Sequence, residues 1–304
     1  MTAILNLPGT HMATEFPHRP FSIGHDLADH PLFTLPRLIA LANAMDRDRI
    51  EYNSGDLKLN QDPFDAPKVN LSAEETIRQI EHCHAWMVIK NVENDPDYKA
   101  FLDSCLAEVA AAAGDEPGMV QDIQGFIFVS SANSTTPFHI DAEENFLLQI
   151  KGDKFLHVFD NEDRSIISEQ DMEISPSKHR NQEYRREFES RATVFEMSEG
   201  DGAYLPYMAP HWVRTGERYS ISIAVTWKSP RVLKLNKIRY VNAALRKIGL
   251  PQSGPGNAPV WDTIKVAAFD AAHMVINPLR KSERSRRIIR QVLFGRKANY
   301  YYDA

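Results

Sequence analysis

The sequence predicts a mainly β protein, an antiparallel jelly roll or barrel with helices before and after it. Three observations carry this. From Gln124 to Trp227, short β-prone runs recur between Gly and Asp turns, as the strands of an antiparallel sandwich or barrel do. On either side of this stretch, apolar residues recur at three- and four-residue spacing, the period of amphipathic helices. No internal repeat or low-complexity tract interrupts the 304 residues. The expected division is an N-terminal helical or mixed extension packing on the barrel (1–120), a β core (121–230) and a C-terminal helical region (231–304).

Residues 1–30, rich in His, Pro and Gly, read as an irregular lead-in. Thr34 to Met45 predicts a short helix capped by Thr34. The run Asn53-Ser54-Gly55-Asp56 is a chain break. Ser72 with Glu75 three residues later forms a capping box that opens a helix to about His82. Ala85 to Val92 reads as a strand, and Asp95-Pro96 opens a helix whose buried stripe is Tyr98, Phe101, Leu102, Cys105, Leu106 and Val109. The core strands are GFIFVSS, the run bearing His139, FLLQIKG, DKFLHVFD, ATVFEM, GAYLP and YSISIAVTW. Asp160 to Arg191 is polar and too long for a hairpin loop, so it predicts an insertion over the barrel mouth. Val232 to Ile248 is a helix with Gly249 as C-cap and Pro251 beyond, and Ala258 to Val275 and Glu283 to Leu293 are two more. The apolar face Leu235, Ile238, Val241, Leu245 and Ile248 must be covered by the barrel or by a second copy. A homodimer through the C-terminal helices is therefore expected.

Hydrophobic content of 43% and charged content of 25% are ordinary for a globular protein. The N-terminus lacks a basic segment followed by an apolar run, and no stretch reaches the roughly 18 apolar residues of a membrane span. Cys83 and Cys105 are too few for a disulfide framework. A cytoplasmic protein without membrane partners is the expectation. Net charge is −6, yet residues 280–304 hold eight Lys/Arg against two Asp/Glu, which leaves −12 for the rest. A basic tail suits nucleic acid, a membrane surface or simply a solvated helix face. The acidic body argues against wrapping nucleic acid.

His139 and Asp141 form an H-x-D pair, and alternate strand residues share a face. His211 follows on a later strand. Two imidazoles and a carboxylate on a β scaffold are the donor set of a facial triad for Fe(II), and the lack of nearby Cys argues against structural zinc. The residues alone leave open two core or surface histidines beside an unrelated Asp. His82 and His84 make a second possible pair, without an obvious third partner. Lys154 is costly inside a barrel unless an anion pairs with it. A dicarboxylate co-substrate would be such an anion, and Thr136 could donate to the same carboxylate. A solvated strand lysine is the other reading.

The run T-P-x-H-x-D-x-x-x-N-F-x-x-Q-I-K-G-x-K, Thr136 to Lys154, resembles the cupin-like JmjC hydroxylases. Within them it is most similar to the asparaginyl hydroxylases acting on a hypoxia-inducible transcription factor. Gly200 to Val213, G-D-x-x-Y-L-P followed by P-H-W-V, resembles that family's second metal-ligand region. The resemblance implies a double-stranded β-helix, Fe(II), O2 and the co-substrate 2-oxoglutarate. It implies His139, Asp141 and His211 as metal ligands, and Lys154 with Thr136 at the distal carboxylate of 2-oxoglutarate. It sets Asn145 near the co-substrate and Thr226 where the family has Asn on the last barrel strand. The primary substrate stays open between a protein side chain, an amino acid and another metabolite. The rival readings are a cupin-type metal dioxygenase or isomerase without 2-oxoglutarate, which Lys154 argues against, and a non-catalytic sensor, which the intact triad argues against.

Overall fold

The computed structural model describes residues 3–114, 118–174, 179–277 and 282–294. Its strands are β1 (Leu5–Asn6), β2 (Phe21–His25), β3 (Ile50–Ser54), β4 (Ala85–Lys90), β5 (Gln121–Ser130), β6 (Thr135–His139), β7 (Glu144–Lys151), β8 (Lys154–Val158), β9 (Thr193–Met197), β10 (Asp201–Leu205), β11 (His211–Thr215) and β12 (Ser220–Lys228). They form an eight-stranded sheet ordered β1-β2-β10-β7-β12-β5-β4-β3 and a four-stranded sheet ordered β6-β11-β8-β9. All recorded pairings between these strands are antiparallel. The jelly roll expected from the sequence is thus the observed fold: β10-β7-β12-β5 face β6-β11-β8-β9 across a barrel interior.

Side-chain alternation explains how the large sheet is buried on both faces. Along β12, Ile221, Ile223, Val225 and Trp227 join one core. Ala224 points the other way into the barrel with Leu147, Leu156, Val158, Ala203, Leu205 and Val213. The outer core is closed by α2 (Leu35–Ala44), α3 (Ala73–Arg78) and α4 (Pro96–Ala112), which contribute Leu38, Leu41, Ile77, Tyr98, Leu102 and Leu106. The capping box of Ser72 and Glu75 is formed, and Asp95 caps α4. The N-terminal region is mixed: besides its helices, β1 to β4 extend the large sheet at both edges. Of these, β4 is the strand expected from Ala85 to Val92, while the short, turn-flanked β1 to β3 carry little periodic signal.

The segment from Asp160 to Arg191 is fastened down as far as it is described, with 175–178 outside the described residues. Ile166 and Phe188 pack with Phe138 and Phe159, while Ile167, Met172 and Ile174 pack with Tyr207 and Val232. Ion pairs join Glu169 to Arg239 at 3.0 Å and Glu173 to Arg246 at 2.5 Å. Its end runs beside β6: Gln182 N donates to Phe138 O at 2.9 Å, and Ile140 N to Arg180 O at 3.2 Å.

Three helices follow, α5 (Pro230–Lys247), α6 (Pro259–Ile276) and α7 (Glu283–Phe294). The apolar face expected to seek a partner is largely covered: Ile238 of α5 is buried, and Leu235, Val241 and Leu245 are partly so. The uncovered stripe lies on α6, where Val260, Ile264, Met274 and Val275 are 50–78% exposed. Among the described residues no helix is long and apolar enough to cross a membrane. Of the basic tail, Arg280, Lys281 and 295–304 lie outside the described residues.

Candidate metal centre

β6 and β11 are neighbours, and His139 stands directly opposite His211 in their register. Their rings approach to 4.1 Å between centroids. Asp141 lies just past the end of β6, where Met208 N donates to its carbonyl at 2.9 Å. Its Oδ2 is 3.8 Å from His139 Nε2 and 3.7 Å from His211 Nε2. One ligand atom from each of the three residues falls within 4.8 Å of the others, and no other such group of His, Cys, Asp or Glu occurs among the described residues.

The histidine orientation suits a metal. His139 Nδ1 lies 2.7 Å from Pro137 O, and His211 Nδ1 lies 2.9 Å from Ala209 O. A carbonyl only accepts, so each Nδ1 carries the proton and each Nε2 presents its lone pair beside Asp141. Burial, followed by neighbouring His139, pushes the His211 pKa down to about 4, which keeps the ring neutral. Two imidazole nitrogens and one carboxylate oxygen converging on one side are a fitting donor set for Fe(II). His82 and His84 take no part in this group: both are exposed.

The remaining predicted residues line the same cavity, of about 500 Å³. Thr136 and His139 are three residues apart, and regular alternation would send them to opposite faces. A bulge resolves this. Between Thr136 and His139 the strand has one residue more than its partner between Val213 and His211. The extra residue restores a common facing. Thr136 Oγ1 accepts a hydrogen bond from Trp86 Nε1 at 3.0 Å. That leaves the threonine hydroxyl proton to donate elsewhere.

Lys154 is 4% exposed. Its ammonium donates to the Ser222 hydroxyl and lies 5.5 Å from the Phe128 ring centroid. Burial pushes its pKa down to about 7. No carboxylate pairs with it among the described residues, so its protonated form is without a compensating anion where it lines the cavity. Leu205, Asn145, Thr226 and Gln124 sit side by side across β10, β7, β12 and β5. Asn145 Oδ1 is buried without a partner. Thr226 Oγ1 donates to Gln124 O at 3.2 Å, so its proton is engaged within the sheet.

Trp86, Phe128, Ser222 and Glu143 escaped the sequence reading. Burial, and then the charge of Asp141, push the Glu143 carboxyl up to about 7. Ser222 had a readable signal, since the polar Ser220, Ser222 and Thr226 alternate with apolar residues along β12. Trp86 had none, because β4 is buried at nearly every position.

A sequence profile described as a cupin-like domain matches residues 40–231. No curated protein sequence matches the chain. Among solved structures, the chain is similar to Escherichia coli YcfD, with 13% identity, a TM-score of 0.50, and coverage of 96% of this chain and 73% of that one. A second structure of that protein is described as a ribosomal oxygenase in complex with cobalt and 2-oxoglutarate. It matches at 14% identity and a TM-score of 0.50, covering 93% of this chain and 70% of that one. At such identity the likeness concerns the fold.

Proposed function

Because the chain belongs to the cupin-like domain family, and because a His-Asp-His triad shares its cavity with a buried lysine, we propose that it is an Fe(II)- and 2-oxoglutarate-dependent oxygenase of the JmjC type, acting as a hydroxylase. The observation that carries this reading is Lys154. A lysine buried in the metal cavity destabilises the fold unless an anion pairs with it, and the distal carboxylate of 2-oxoglutarate supplies such an anion beside the metal. The motif from Thr136 to Lys154 supports the same class, and so does a neighbour of this fold described in complex with cobalt and 2-oxoglutarate.

In this reading His139, Asp141 and His211 hold the iron. Lys154 receives the distal carboxylate of 2-oxoglutarate, with the Thr136 hydroxyl as a second donor. Trp86 and Ser222 position those two groups through the hydrogen bonds described above. Phe126, Phe128, Leu147, Leu205 and Val213 line the cavity with apolar surface, which limits water around the reacting centre. Iron, when bound, supplies the redox chemistry that couples oxygen reduction to decarboxylation of 2-oxoglutarate. One oxygen atom goes to succinate, the other to the oxidised C–H, and CO2 leaves. Cys83 and Cys105 are both free thiols, which suits a reducing compartment, and we assign the cytoplasm.

The test is succinate release by protein loaded with iron and 2-oxoglutarate, measured alone and with candidate peptides, amino acids and metabolites. Iron-dependent succinate above background is expected, and it should rise with a true substrate. Failure of the metal-loaded, oxygen-free protein to bind 2-oxoglutarate at millimolar concentration would transfer the assignment to a cupin enzyme without that co-substrate.

A further inference from the structure

The charged side chains around the cavity mouth fall into two groups. Most already face an opposite charge. Lys90 Nζ pairs with Glu51 at 2.7 Å, and Asp48 pairs with Arg287 at 3.5 Å. Glu143 lies in the field of Lys228 and Arg180. Asp141 belongs to the triad, and Lys154 is assigned to the co-substrate. Two guanidinium groups remain, Arg49 and Arg286, and both line the cavity. Arg49 has an acidic neighbour, Asp46, at 3.6 Å, but the Asp46 side chain is 81% exposed and the contact is a weak surface pair. Arg286 has no side-chain hydrogen bond or ion pair among the described residues.

These two arginines come from opposite ends of the chain and meet for a structural reason. Arg49 closes a short 3-10 turn, Arg47–Arg49, which leads directly into β3. Arg286 is on α7. The ion pair between Asp48 and Arg287 joins their immediate neighbours, so it fastens α7 against the mouth and brings both arginines to one opening. Two like charges at one opening repel unless an anion lies between them. A guanidinium offers a planar fork of donors that matches a carboxylate or a phosphate.

Resting on the oxygenase reading, we propose that the primary substrate carries an anionic oxygen group, a carboxylate or a phosphate, which Arg49 and Arg286 grip at the mouth while a C–H of the same molecule faces the triad. The cavity of about 500 Å³ lies in the range of small-molecule sites. With 2-oxoglutarate inside, it admits a small metabolite or one side chain of a peptide.

The test uses full-length protein loaded with Mn(II), saturated with 2-oxoglutarate and free of oxygen. The probes are N-acetyl amides of glutamate, glutamine, lysine and phosphoserine, followed by the broadening of their NMR signals by the bound Mn(II). The acidic probes should broaden at concentrations at least about tenfold below the neutral and basic ones, the scale of one charge-assisted contact. Arg49→Ala and Arg286→Ala should each remove most of that preference, and Arg286→Lys should retain part of it. Preference for phosphoserine over glutamate identifies a phosphate substrate, and the reverse identifies a carboxylate. No preference for acidic probes in wild-type protein, or a preference that survives both alanine substitutions, overturns the proposal. The signals of 2-oxoglutarate in the same sample report separately on the oxygenase reading: if Mn(II) does not broaden them, that reading fails whatever the probes do.

Discussion

Lys154→Met should weaken 2-oxoglutarate binding while leaving the ligand-free protein at least as stable. Methionine keeps much of the side-chain volume and removes the charge. In the free protein that charge has a hydroxyl and a ring for company, which does not offset its desolvation. Because the folded-state pKa is depressed to about 7, the unfolded chain holds the extra proton from there up to the ordinary lysine range. Stability of the wild type should therefore rise with pH across that window and be lowest below it. Lys154→Met should be the more stable protein at pH 7, and its advantage should shrink as pH increases. Binding has the opposite sign. A charge-assisted contact to a carboxylate is worth about 1.5–3 kcal/mol, so the variant should lose roughly ten- to hundredfold in affinity. Wild-type affinity should also fall by up to about tenfold per pH unit above 7, since the ammonium must regain its proton to meet the dianion. The variant's affinity should stay flat there. Anaerobic titration of iron-loaded protein at several pH values, with thermal unfolding of the ligand-free form, measures both effects. Wild-type affinity in Lys154→Met would refute the placement of the co-substrate.

Asp141→Ala removes the anionic ligand of the triad at a position whose side chain is 31% exposed, so the protein should fold yet emerge from gel filtration without iron, as metal analysis would show. Phe188→Ala empties a buried site behind Phe138, next to His139; denaturant unfolding should report a loss of about 3 kcal/mol or more, with weaker metal binding if the Asp160–Arg191 segment holds β6 in place. Ile264→Glu puts a charge in the exposed stripe of α6. If that stripe joins two copies, light scattering should show the wild type as a dimer and the variant as a monomer. A wild-type monomer at high micromolar concentration would end the dimer proposal.

The triad residues were legible because an H-x-D pair and a distal His keep their spacing in any fold that pairs the two strands. The barrel strands were legible from their alternation and Gly turns. Thr136 was picked out by its nearness to His139 and by the motif, but its parity with His139 depends on a bulge that no single strand reveals. Strand β4 was legible as the run Ala85 to Val92, whereas β1 to β3 were not, because their place in the sheet depends on strands and helices elsewhere in the chain. For the C-terminal helices the apolar pattern was visible, but not which helix would shield which: α5 lies against the barrel and α6, and the exposed stripe falls on α6. The meeting of Arg49 with Arg286 is purely tertiary, and no local pattern could announce it.

The order of strands in the large sheet sets a timetable for synthesis. β2, within the first 25 residues, pairs with β10 at 201–205, and β5 waits for β12 at 220–228. A nascent chain stopped short of β12 leaves β5 and β7 without the strand that lies between them, so β5, held by β4 on its other side only, offers an unpaired apolar edge. Contacts of such sequence separation slow folding and prolong exposure of unpaired edges. The jelly roll must therefore close after most of the chain has left the ribosome. Chaperone demand and aggregation during overproduction should track the interval between β5 and β12, so slowing translation there should lower the soluble yield more than slowing it within α5 to α7.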